Sequence, residues 1–363
     1  MTTKVCVCRQ GLRQDIQRGF TLIELMVSAA IGLMLLVGIA TIFVNSSRAR
    51  DEIQRQSEQI DNGRYAVELL NNEFHTAGYL GELNPNTSLL PPVLTKPDPC
   101  VTDDASLTTA LPQSVQGYDN GATTLTCLSD VKPGTDVLVV RRASSCAVGE
   151  PGCDGVVAGV PYFQASACNS TAEIGAVASP ATASSFFRVS ADTTTLTLHS
   201  KDCTTVAPLR RLRTHIFFVA NNDKIGDGIP TLKRAELRTT GFTIVPLVEG
   251  IDDLQIEYGL DAGIIAGGSA AGVVGAYTAN PDSFNTCLPD ICQKYWRNVI
   301  AVKVNILARS NTGTAGYSDS KIYTLGKTAA GATNSVGPIG DAYKRHLYST
   351  TVSLFNVAGR NTP

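Results

Sequence analysis

The sequence carries little charge, and neither sign is in clear excess. Charged residues make up 17% of the 363 positions, with 30 Lys and Arg against 32 Asp and Glu. This balance predicts no broad basic surface of the kind that binds nucleic acid. The hydrophobic content of 43% is too high for a disordered chain, and the 32 Gly and 17 Pro argue against a helical bundle. We therefore expect one large or two modest domains with a sizeable core.

Signatures of several enzyme classes are also missing. The sequence has no GxSxG, no HExxH and no Gly-rich loop that ends in Lys followed by Ser or Thr. Residues 263–272 are rich in Gly but lack that Lys, so they are interpreted as a flexible surface loop. The four His fall at no metal-ligand spacing. We predict that the protein is not an enzyme and needs no cofactor.

One oxygen-rich turn, residues 221–228, is a weak candidate for calcium. Asn221, Asp223 and Asp227 supply ligand types that calcium prefers, but the alternating order and the closing Glu of an EF-hand loop are absent. Asn, Asp and Gly are also the residues that a hairpin turn requires. The turn is the preferred interpretation, and calcium remains the alternative.

The N-terminus combines a basic segment with a long apolar run. Gly19 precedes the run, which extends from Phe20 to Val44. As a helix these residues rise about 37 Å, enough to cross a hydrocarbon core of about 30 Å. Basic residues before the run predict that the N-terminus is cytoplasmic and that the remainder lies across the membrane. The basic residues are Lys4, Arg9, Arg13 and Arg18, with Asp15 among them.

The run contains one charged residue, Glu24. A carboxylate at membrane depth costs several kcal/mol unless it is neutralised or paired. Cleavage after Gly19 makes Glu24 the fifth residue of the new chain and leaves the α-amine of Phe20 as a cation in the apolar layer. We expect this amine to pair with Glu24 of a neighbouring subunit, which would set the axial register of stacked helices. A protonated or snorkelling Glu24 without such a role is the alternative.

The segment Gly19-Phe20-Thr21-Leu22-Ile23-Glu24 resembles the cleavage and methylation motif of type IV prepilins and type II secretion pseudopilins. The resemblance implies that prepilin peptidase cleaves after Gly19, that Phe20 is N-methylated, and that Glu24 acts in assembly of a filament. Many major pilins have a helix-kinking Pro near the end of the run. This sequence has Thr41 there with Gly38 before it, which leaves a locally loosened helix in doubt.

Apolar residues continue at seven-residue spacing after the composition turns polar at Asn45. They form a stripe on one helix face, which predicts a single helix from about Phe20 to about Ala77, ended by Gly78 and Gly81 with Pro85 beyond. A sheet in the same chain is the preferred cover for the stripe, and a coiled coil is the alternative. The stripe consists of Ile53, Ile60, Val67 and Phe74, with Leu70 and Ala77 three residues further on.

Beyond residue 85, the sequence predicts short strands separated by turn residues. Residues 216–220 and 231–237 are expected to form a hairpin, and residues 299–307 a central, largely buried strand. The predicted strands are 136–142, 213–220, 231–237, 242–248, 253–258, 298–309, 321–325 and 343–355.

Five stretches along the chain resemble minor pilins of the PilW type. J-class pseudopilins of type II secretion share much of this layout, usually in a shorter chain. Residues 85–205 match nothing that can be named. The five stretches are 61–67, 73–79, 249–259, 299–310 and 343–352.

Of the ten cysteines, Cys6 and Cys8 lie in the leader, and eight lie on the predicted periplasmic side. An even number in an oxidising compartment predicts disulfides, although eight cysteines permit about 105 connectivities. Proximity favours two pairs, and the other four cysteines pair among themselves. Zinc is the rival interpretation, but no CxxC is present. The favoured pairs are Cys287–Cys292 and Cys146–Cys153; the others are Cys100, Cys127, Cys168 and Cys203.

Together these features predict an α+β fold, a pilin-like lollipop in which one long N-terminal helix packs on an antiparallel β-sheet head with disulfide-bonded loops. The predicted domains are the leader (1–19), the membrane-spanning or filament-core half of the helix (20–44), its amphipathic half (45–80) and the head (81–363). Before assembly we expect the protein in the bacterial inner membrane, which it crosses once. After assembly we expect it in the pilus or at the cell surface.

The resemblance implies a minor pilin that primes assembly of a type IV pilus or caps its tip, supporting adhesion and twitching motility. Expected partners are other minor pilins, the major pilin, prepilin peptidase and the inner-membrane assembly platform. The alternative is a pseudopilin of type II secretion, and a distant one is a membrane-anchored calcium-binding adhesin. Removal of the leader, with four basic residues and one acid, leaves 26 basic and 31 acidic residues and a net charge of −5. No nucleic-acid partner is expected.

Overall fold

The computed structural model describes residues 19–83, 93–121, 125–168, 170–174, 186–239 and 241–359. The predicted leader up to residue 18, including Cys6 and Cys8, and Pro85 lie outside these ranges. The helices are α1 (Leu22–Thr76), α2 (Asp104–Ala110), α3 (Thr171–Ile174), α4 (Ala262–Ile265), α5 (Pro289–Arg297) and α6 (Phe355–Ala358). The strands are β1 (Val115–Tyr118), β2 (Val137–Ala147), β3 (Tyr162–Ala165), β4 (Phe187–Ser190), β5 (Arg210–Ala220), β6 (Thr231–Arg238), β7 (Gly241–Glu249), β8 (Ile251–Asp261), β9 (Val274–Thr278), β10 (Val299–Arg309), β11 (Tyr323–Lys327), β12 (Thr333–Val336) and β13 (Arg345–Ser353).

The chain divides into two compact units, Met1–Gln54 and Arg55–Pro363. In the first unit α1 is continuous, and the hydroxyl of Thr41 donates to the carbonyl of Gly38 at 2.8 Å. Its most apolar 18-residue window has a mean hydropathy of 2.5 with no buried residue. By length and composition this helix can cross a membrane. The predicted long helix is confirmed to within two residues at either end.

Within the second unit, the C-terminal end of α1 is held by residues that follow β13. Gly78 has a φ of +70°, the left-handed conformation in which glycine commonly follows a helix. The side-chain amide of Asn356 donates to the carbonyls of His75 and Ala77 at 3.2 and 3.1 Å. The His75 ring stacks on Phe355 with ring centroids 5.3 Å apart. The carbonyls of His75 and Ala77, at the end of the helix and just beyond it, are thereby satisfied.

All described strand pairs are antiparallel, and they form three sheets. The first sheet has seven strands in the order β1-β2-β5-β3-β4, with β6 also on β5 and β7 on β6. The second sheet has the order β13-β10-β8-β9, and β11 pairs with β12. The antiparallel sheet head with disulfide-bonded loops is confirmed.

Each of the eight predicted strands is present. In the predicted hairpin, β5 and β6 pair from His215↔Glu236 to Ala220↔Thr231. The predicted central strand, β10, lies between β8 and β13. The sequence missed β1, β3, β4, β9 and β12, which have four or five residues each. Such short segments offer too few alternating positions to be recognised.

The largest core cluster joins α1 to both large sheets. It includes Leu70 and Phe74 of the helix, Phe217 of the first sheet and Val302 of the second, each fully buried. Trp296 of α5 is also part of this cluster and is 1% exposed. Residues 66–76 of α1, with Ala77 after it, therefore share one core with the head.

The predicted apolar stripe was only partly right. Phe74 is buried and Val67 is partly buried, but Ile60 is 39% exposed and Ile53 is 67% exposed. A straight α-helix drifts by about 20° per heptad, so residues 53 and 74 differ by about 60° around the axis. The buried positions follow the true helical period instead. They are Gln59, Gly63, Ala66, Leu70, Glu73 and Phe74.

Candidate assembly site

The N-terminus of α1 is closed by Thr21 and Glu24. The Thr21 carbonyl accepts from the backbone N–H of Leu25 at 3.2 Å, and the Thr21 hydroxyl accepts from the N–H of Glu24 at 3.3 Å. In return, the backbone N–H and hydroxyl of Thr21 donate to Glu24 Oε2 at 3.0 and 2.8 Å. This reciprocal arrangement is a capping box. The Thr-x-x-Glu spacing was a signal that the sequence analysis did not use.

The cap leaves part of Glu24 available. Both contacts use Oε2, and Oε1 makes no hydrogen bond within the ranges that the structure describes. Gly19 and Phe20 precede the helix, and Phe20 is 87% exposed. The same carboxylate can therefore cap its own helix and accept an ammonium from another molecule. The roles predicted for Gly19, Phe20 and Glu24 in processing and assembly remain predictions.

Polar residues of α1 fasten the helix to the head. The amide of Gln59, which is 6% exposed, donates to the carbonyls of Ala308 and Lys344 at 2.8 and 3.0 Å. Asn62 donates to the carbonyl of Glu249 at 3.1 Å. These bonds fix the position of α1 along the ends of β7, β10 and β13. Sequence analysis missed Gln59 because an amide inside an apolar stripe gives no periodic signal.

Gly63 allows the closest approach between α1 and the head. A Cβ at this position would collide with the ring of Tyr348 on β13. Gly250 precedes β8 with a φ of +73°, and a Cβ there would lie 2.7 Å from the carbonyl oxygen of Arg309. Of the stretches that resemble PilW, residues 61–67 thus contact 343–352, and residues 249–259 contact 299–310.

A buried ionic cluster lies near the end of α1. The Glu73 carboxylate is 3.0 Å from His215 Nδ1, 3.6 Å from Arg142 Nε and 3.7 Å from Arg234 Nη1. Burial opposes its ionisation, but the hydrogen bond of His215 and the neighbouring positive charges outweigh burial and lower the pKa of Glu73 to about 2. Burial lowers the pKa of His215. We therefore assign a neutral His215 that donates Nδ1–H to an ionised Glu73.

A second buried network surrounds Arg345 at the start of β13. Its guanidinium contacts Asp252 at 2.6 Å, Asp319 at 3.0 Å and Asp341 at 2.6 Å. Lys132 also pairs with Asp252. The side chain of Arg345 is 2% exposed, so these carboxylates compensate a charge removed from water. The network ties the C-terminal strand to the loops beside it.

Four disulfides brace the head, and the two pairs that proximity favoured are among them. Cys146 pairs with Cys153 and Cys287 with Cys292. The remaining cysteines pair as Cys100–Cys127 and Cys168–Cys203. Two of the bridges close loops of 27 and 35 residues, within the region that resembled nothing.

The oxygen-rich turn is held by hydrogen bonds within the turn and to Asp130. Asp227 accepts backbone N–H bonds from Asp223, Lys224 and Ile229 at 3.1, 2.7 and 3.0 Å. Asn221 donates its amide to Asp130 at 3.0 Å. Within the described ranges, the structure shows no group of three or more His, Cys, Asp or Glu suited to a metal ion. The oxygens of this turn thus shape the loop between β5 and β6.

The Gly-rich segment 263–272 is organised around a single carboxylate. Asp261 is fully buried and accepts backbone N–H bonds from Gly263, Ala271 and Gly272 at 2.9, 2.8 and 2.6 Å. A Cβ at Gly263 would collide with the carbonyl oxygen of Ser269. The glycines therefore permit a tight turn about Asp261, a role that the sequence interpretation as a flexible loop did not anticipate.

An apolar N-terminal helix whose residues 55–76 pack on an antiparallel, disulfide-braced head defines a pilin-like protein. A family model for type IV pilus-assembly protein W (PilW) matches residues 216–356, and a model for the prokaryotic N-terminal methylation motif matches residues 15–40. No curated protein and no solved structure matches the chain. Both matches confirm the resemblance inferred from the sequence, to a PilW-type pilin with a prepilin motif, over these two parts of the chain.

The PilW match runs from the second half of β5 through β13 to the first residues of α6. It includes Tyr348 and Asn356, which contact α1. The methylation motif covers Gly19, Phe20 and Glu24. With the apolar helix, this motif indicates a membrane-anchored, pilus-associated protein whose partners belong to a pilus system.

Proposed function

We propose that the protein is a minor pilin that primes assembly of a type IV pilus or caps its tip. Prepilin peptidase cleaves after Gly19, Phe20 is N-methylated, and residues 20–44 anchor the subunit in the inner membrane with its head in the periplasm. The observation that carries the proposal is the helix start, where Glu24 is held by Thr21 with Oε1 available, inside a matched methylation motif.

In this proposal Glu24 orders the subunits. The new α-amine of Phe20 is a cation in an apolar layer, and a carboxylate from a neighbouring helix compensates it. The capping box fixes the Glu24 side chain at the first helical turn, which reduces the entropy lost when the pair forms. The partners are other minor pilins and the major pilin.

A position at the end of the filament agrees with the size of the head. Residues Arg55–Pro363 form one compact unit with four disulfides. A head of this size with long loops crowds a repeating shaft, whereas an end position has space for it. Support of adhesion and twitching motility follows from that position, and the proposed role involves no catalysis.

Two substitutions at Glu24 separate capping from charge pairing. Glu24→Gln keeps a capping-box residue, because Gln also accepts from the N-cap N–H, but it removes the charge. We expect cleaved, membrane-inserted Glu24→Gln protein whose co-isolation with partner pilins falls at least about tenfold, equivalent to about 1.4 kcal/mol. Glu24→Ala removes both interactions and should behave no better. Wild-type co-isolation of Glu24→Gln contradicts the ion pair.

Separate experiments test the cleavage after Gly19 and the choice between a type IV pilus and a type II secretion system. A bulky residue in place of Gly19 should leave the uncut precursor, detected by intact mass and N-terminal sequencing of protein from sheared filaments. Deletion of the gene should abolish surface pili and twitching. Loss of enzyme secretion with intact pili instead identifies a type II pseudopilin. Full function of the Glu24 variants supports a membrane-anchored adhesin that does not polymerise.

A further inference from the structure

Arginines are concentrated on the helix-facing side of the first sheet. The strand register sets Arg142 of β2 directly opposite Arg213 of β5, and Arg211 opposite Tyr162 of β3. Alternate residues of a strand share a face, so this face carries five arginines and one glutamate, Glu236, and Glu73 of α1 packs against it. The arginines are Arg142, Arg211, Arg213, Arg234 and Arg238.

The two glutamates compensate one part of this set. Glu73 lies between Arg142 and Arg234 at 3.6 and 3.7 Å. Glu236 pairs with Arg234 and Arg238. For Arg211 and Arg213, by contrast, the described residues provide no hydrogen bond or ion pair to either guanidinium. The electrostatic imbalance is therefore confined to these two arginines at the end of β5.

This arrangement is unfavourable in the absence of an anion. Like charges placed directly opposite in an antiparallel pair are destabilising, and Arg142 faces Arg213 in this way. Burial and the charges of Arg142 and Arg211 lower the pKa of Arg213, and the opposing charges of Glu236 and Glu73 do not offset them. A half-buried guanidinium without a partner retains an uncompensated desolvation cost. The fold thus holds two arginines where an anion relieves their repulsion.

A small pocket lies beside the two arginines. Its volume is about 130 Å³, and its walls include Arg211, Arg213, Tyr162 and the loop closed by the Cys146–Cys153 disulfide. The hydroxyl of Tyr162 accepts from the backbone N–H of Val157 at 2.8 Å, which ties the segment after this loop to the sheet. Asp154 also lines the pocket. The wall is thereby constrained by a covalent bridge and a hydrogen bond.

We propose that Arg211 and Arg213 bind a single carboxylate of a partner protein in the pocket beside the Cys146–Cys153 loop. Planar guanidinium groups match a carboxylate through paired N–H bonds. Two arginines and Asp154 sum to one positive charge, which one carboxylate neutralises, whereas a phosphate dianion leaves a net negative charge. The volume admits the end of one side chain. The identity of the partner as a neighbouring pilin rests on the proposed function.

The pocket itself is tested by chemical protection of the full-length chain in detergent micelles. Phenylglyoxal modification of each arginine is measured by peptide mass spectrometry in sodium acetate, sodium phosphate or sodium chloride at equal ionic strength. We expect acetate to slow modification of Arg211 and Arg213 about threefold relative to chloride, and to leave Arg188 on β4 unchanged. Equal rates in acetate and chloride, or stronger protection by phosphate, overturn the assignment of a carboxylate site.

Asp154 supplies a further control. If acetate protects the arginines only in Asp154→Asn, then Asp154 itself occupies the site in solution and the proposal is wrong. If acetate protects both wild type and Asp154→Asn, the pocket accepts an external carboxylate. This comparison needs neither pilus assembly nor an identified partner, so its result is independent of the proposed function.

The partner is tested by charge reversal in cells. Arg213→Glu should reduce co-isolation with partner pilins about tenfold, Arg213→Lys should retain part of it, and Arg188→Glu should match the wild type. Unfolding followed by Trp296 fluorescence verifies that each head is folded. Unchanged co-isolation of folded Arg213→Glu overturns the interface. If the wild type itself fails to co-isolate with pilins, the proposed function is wrong, while the acetate result still decides the pocket.

Discussion

Replacement of Glu73 by Gln removes the charge at the centre of the cluster beneath α1. Glu73 is 9% exposed. Burial disfavours its charge, but His215, Arg142 and Arg234 lower the pKa from an ordinary 4.5 to about 2. Each pKa unit corresponds to about 1.4 kcal/mol. The ionised Glu73 therefore contributes about 3 kcal/mol to the free energy of unfolding at neutral pH, and we expect Glu73→Gln to lose about that amount.

The effect must depend on pH in a defined direction. In the unfolded chain Glu73 takes up its proton near pH 4.5, whereas in the native protein it does so near pH 2. Between these values the unfolded state binds more protons, so the stabilisation is complete above pH 4.5 and is lost as the pH falls toward 2. The difference between wild type and Glu73→Gln should be largest at pH 7 and smaller at pH 3.5.

The protein contains its own reporter for this measurement. Trp296 is the only Trp in the sequence, and its ring lies 4.7 Å from that of Tyr258 in the core cluster that also includes Leu70 and Phe74 of α1. Urea unfolding of the full-length chain in detergent micelles is followed by its fluorescence. The control is Glu68→Gln, an exposed position of the same helix, expected to change the free energy of unfolding by less than about 0.5 kcal/mol. A loss below about 1 kcal/mol for Glu73→Gln at pH 7, or equal losses at pH 7 and pH 3.5, refutes the reasoning.

Two other substitutions test packing and cross-links by the same assay. Gly63→Ala should destabilise the head by about 1–3 kcal/mol because its Cβ collides with Tyr348, although Ala is the better helix former. Adding Tyr348→Leu to this variant should restore part of the lost stability. If Gly63→Ala leaves the free energy of unfolding unchanged, the close approach is contradicted. Removal of the Cys168–Cys203 disulfide, which closes a 35-residue loop, by replacing both cysteines with Ala should lower the free energy of unfolding by about 4 kcal/mol. The same change at Cys287–Cys292, which closes a five-residue loop, should lower it by about 2 kcal/mol. A larger loss at the shorter loop contradicts an origin in loop-closure entropy.

Local sequence patterns predicted the elements with long periodic runs. The apolar run and its continuation predicted α1, and alternating β-branched residues predicted eight strands. The two close cysteine pairs were favoured by separations of seven and five residues. In each case the signal lies within one short segment of chain. Such signals do not depend on which segments meet in the folded head.

Features that depend on tertiary register escaped the sequence analysis. The partners of Glu73 lie on three different strands, and Arg211 and Arg213 are conspicuous only once Arg142 is placed opposite. The pairing of Cys100, Cys127, Cys168 and Cys203 had no preferred solution by spacing. The buried face of α1 was displaced from the seven-residue pattern. At the candidate assembly site, the Glu24 carboxylate was recognised, but its local partner Thr21 was not.

The contact between Gly63 and Tyr348 sets an order of events during synthesis. The hydroxyl of Tyr348 donates to the carbonyl of Ile60 across 288 positions of sequence, so the surface that covers this part of α1 is complete only when nearly the whole chain has been made. Until β13 arrives, the buried side of residues 59–63 is only partly covered, by β7 and β10, while the preceding apolar run is already available for insertion. A nascent chain that stops short of residue 345 thus exposes a helix face that the finished protein hides.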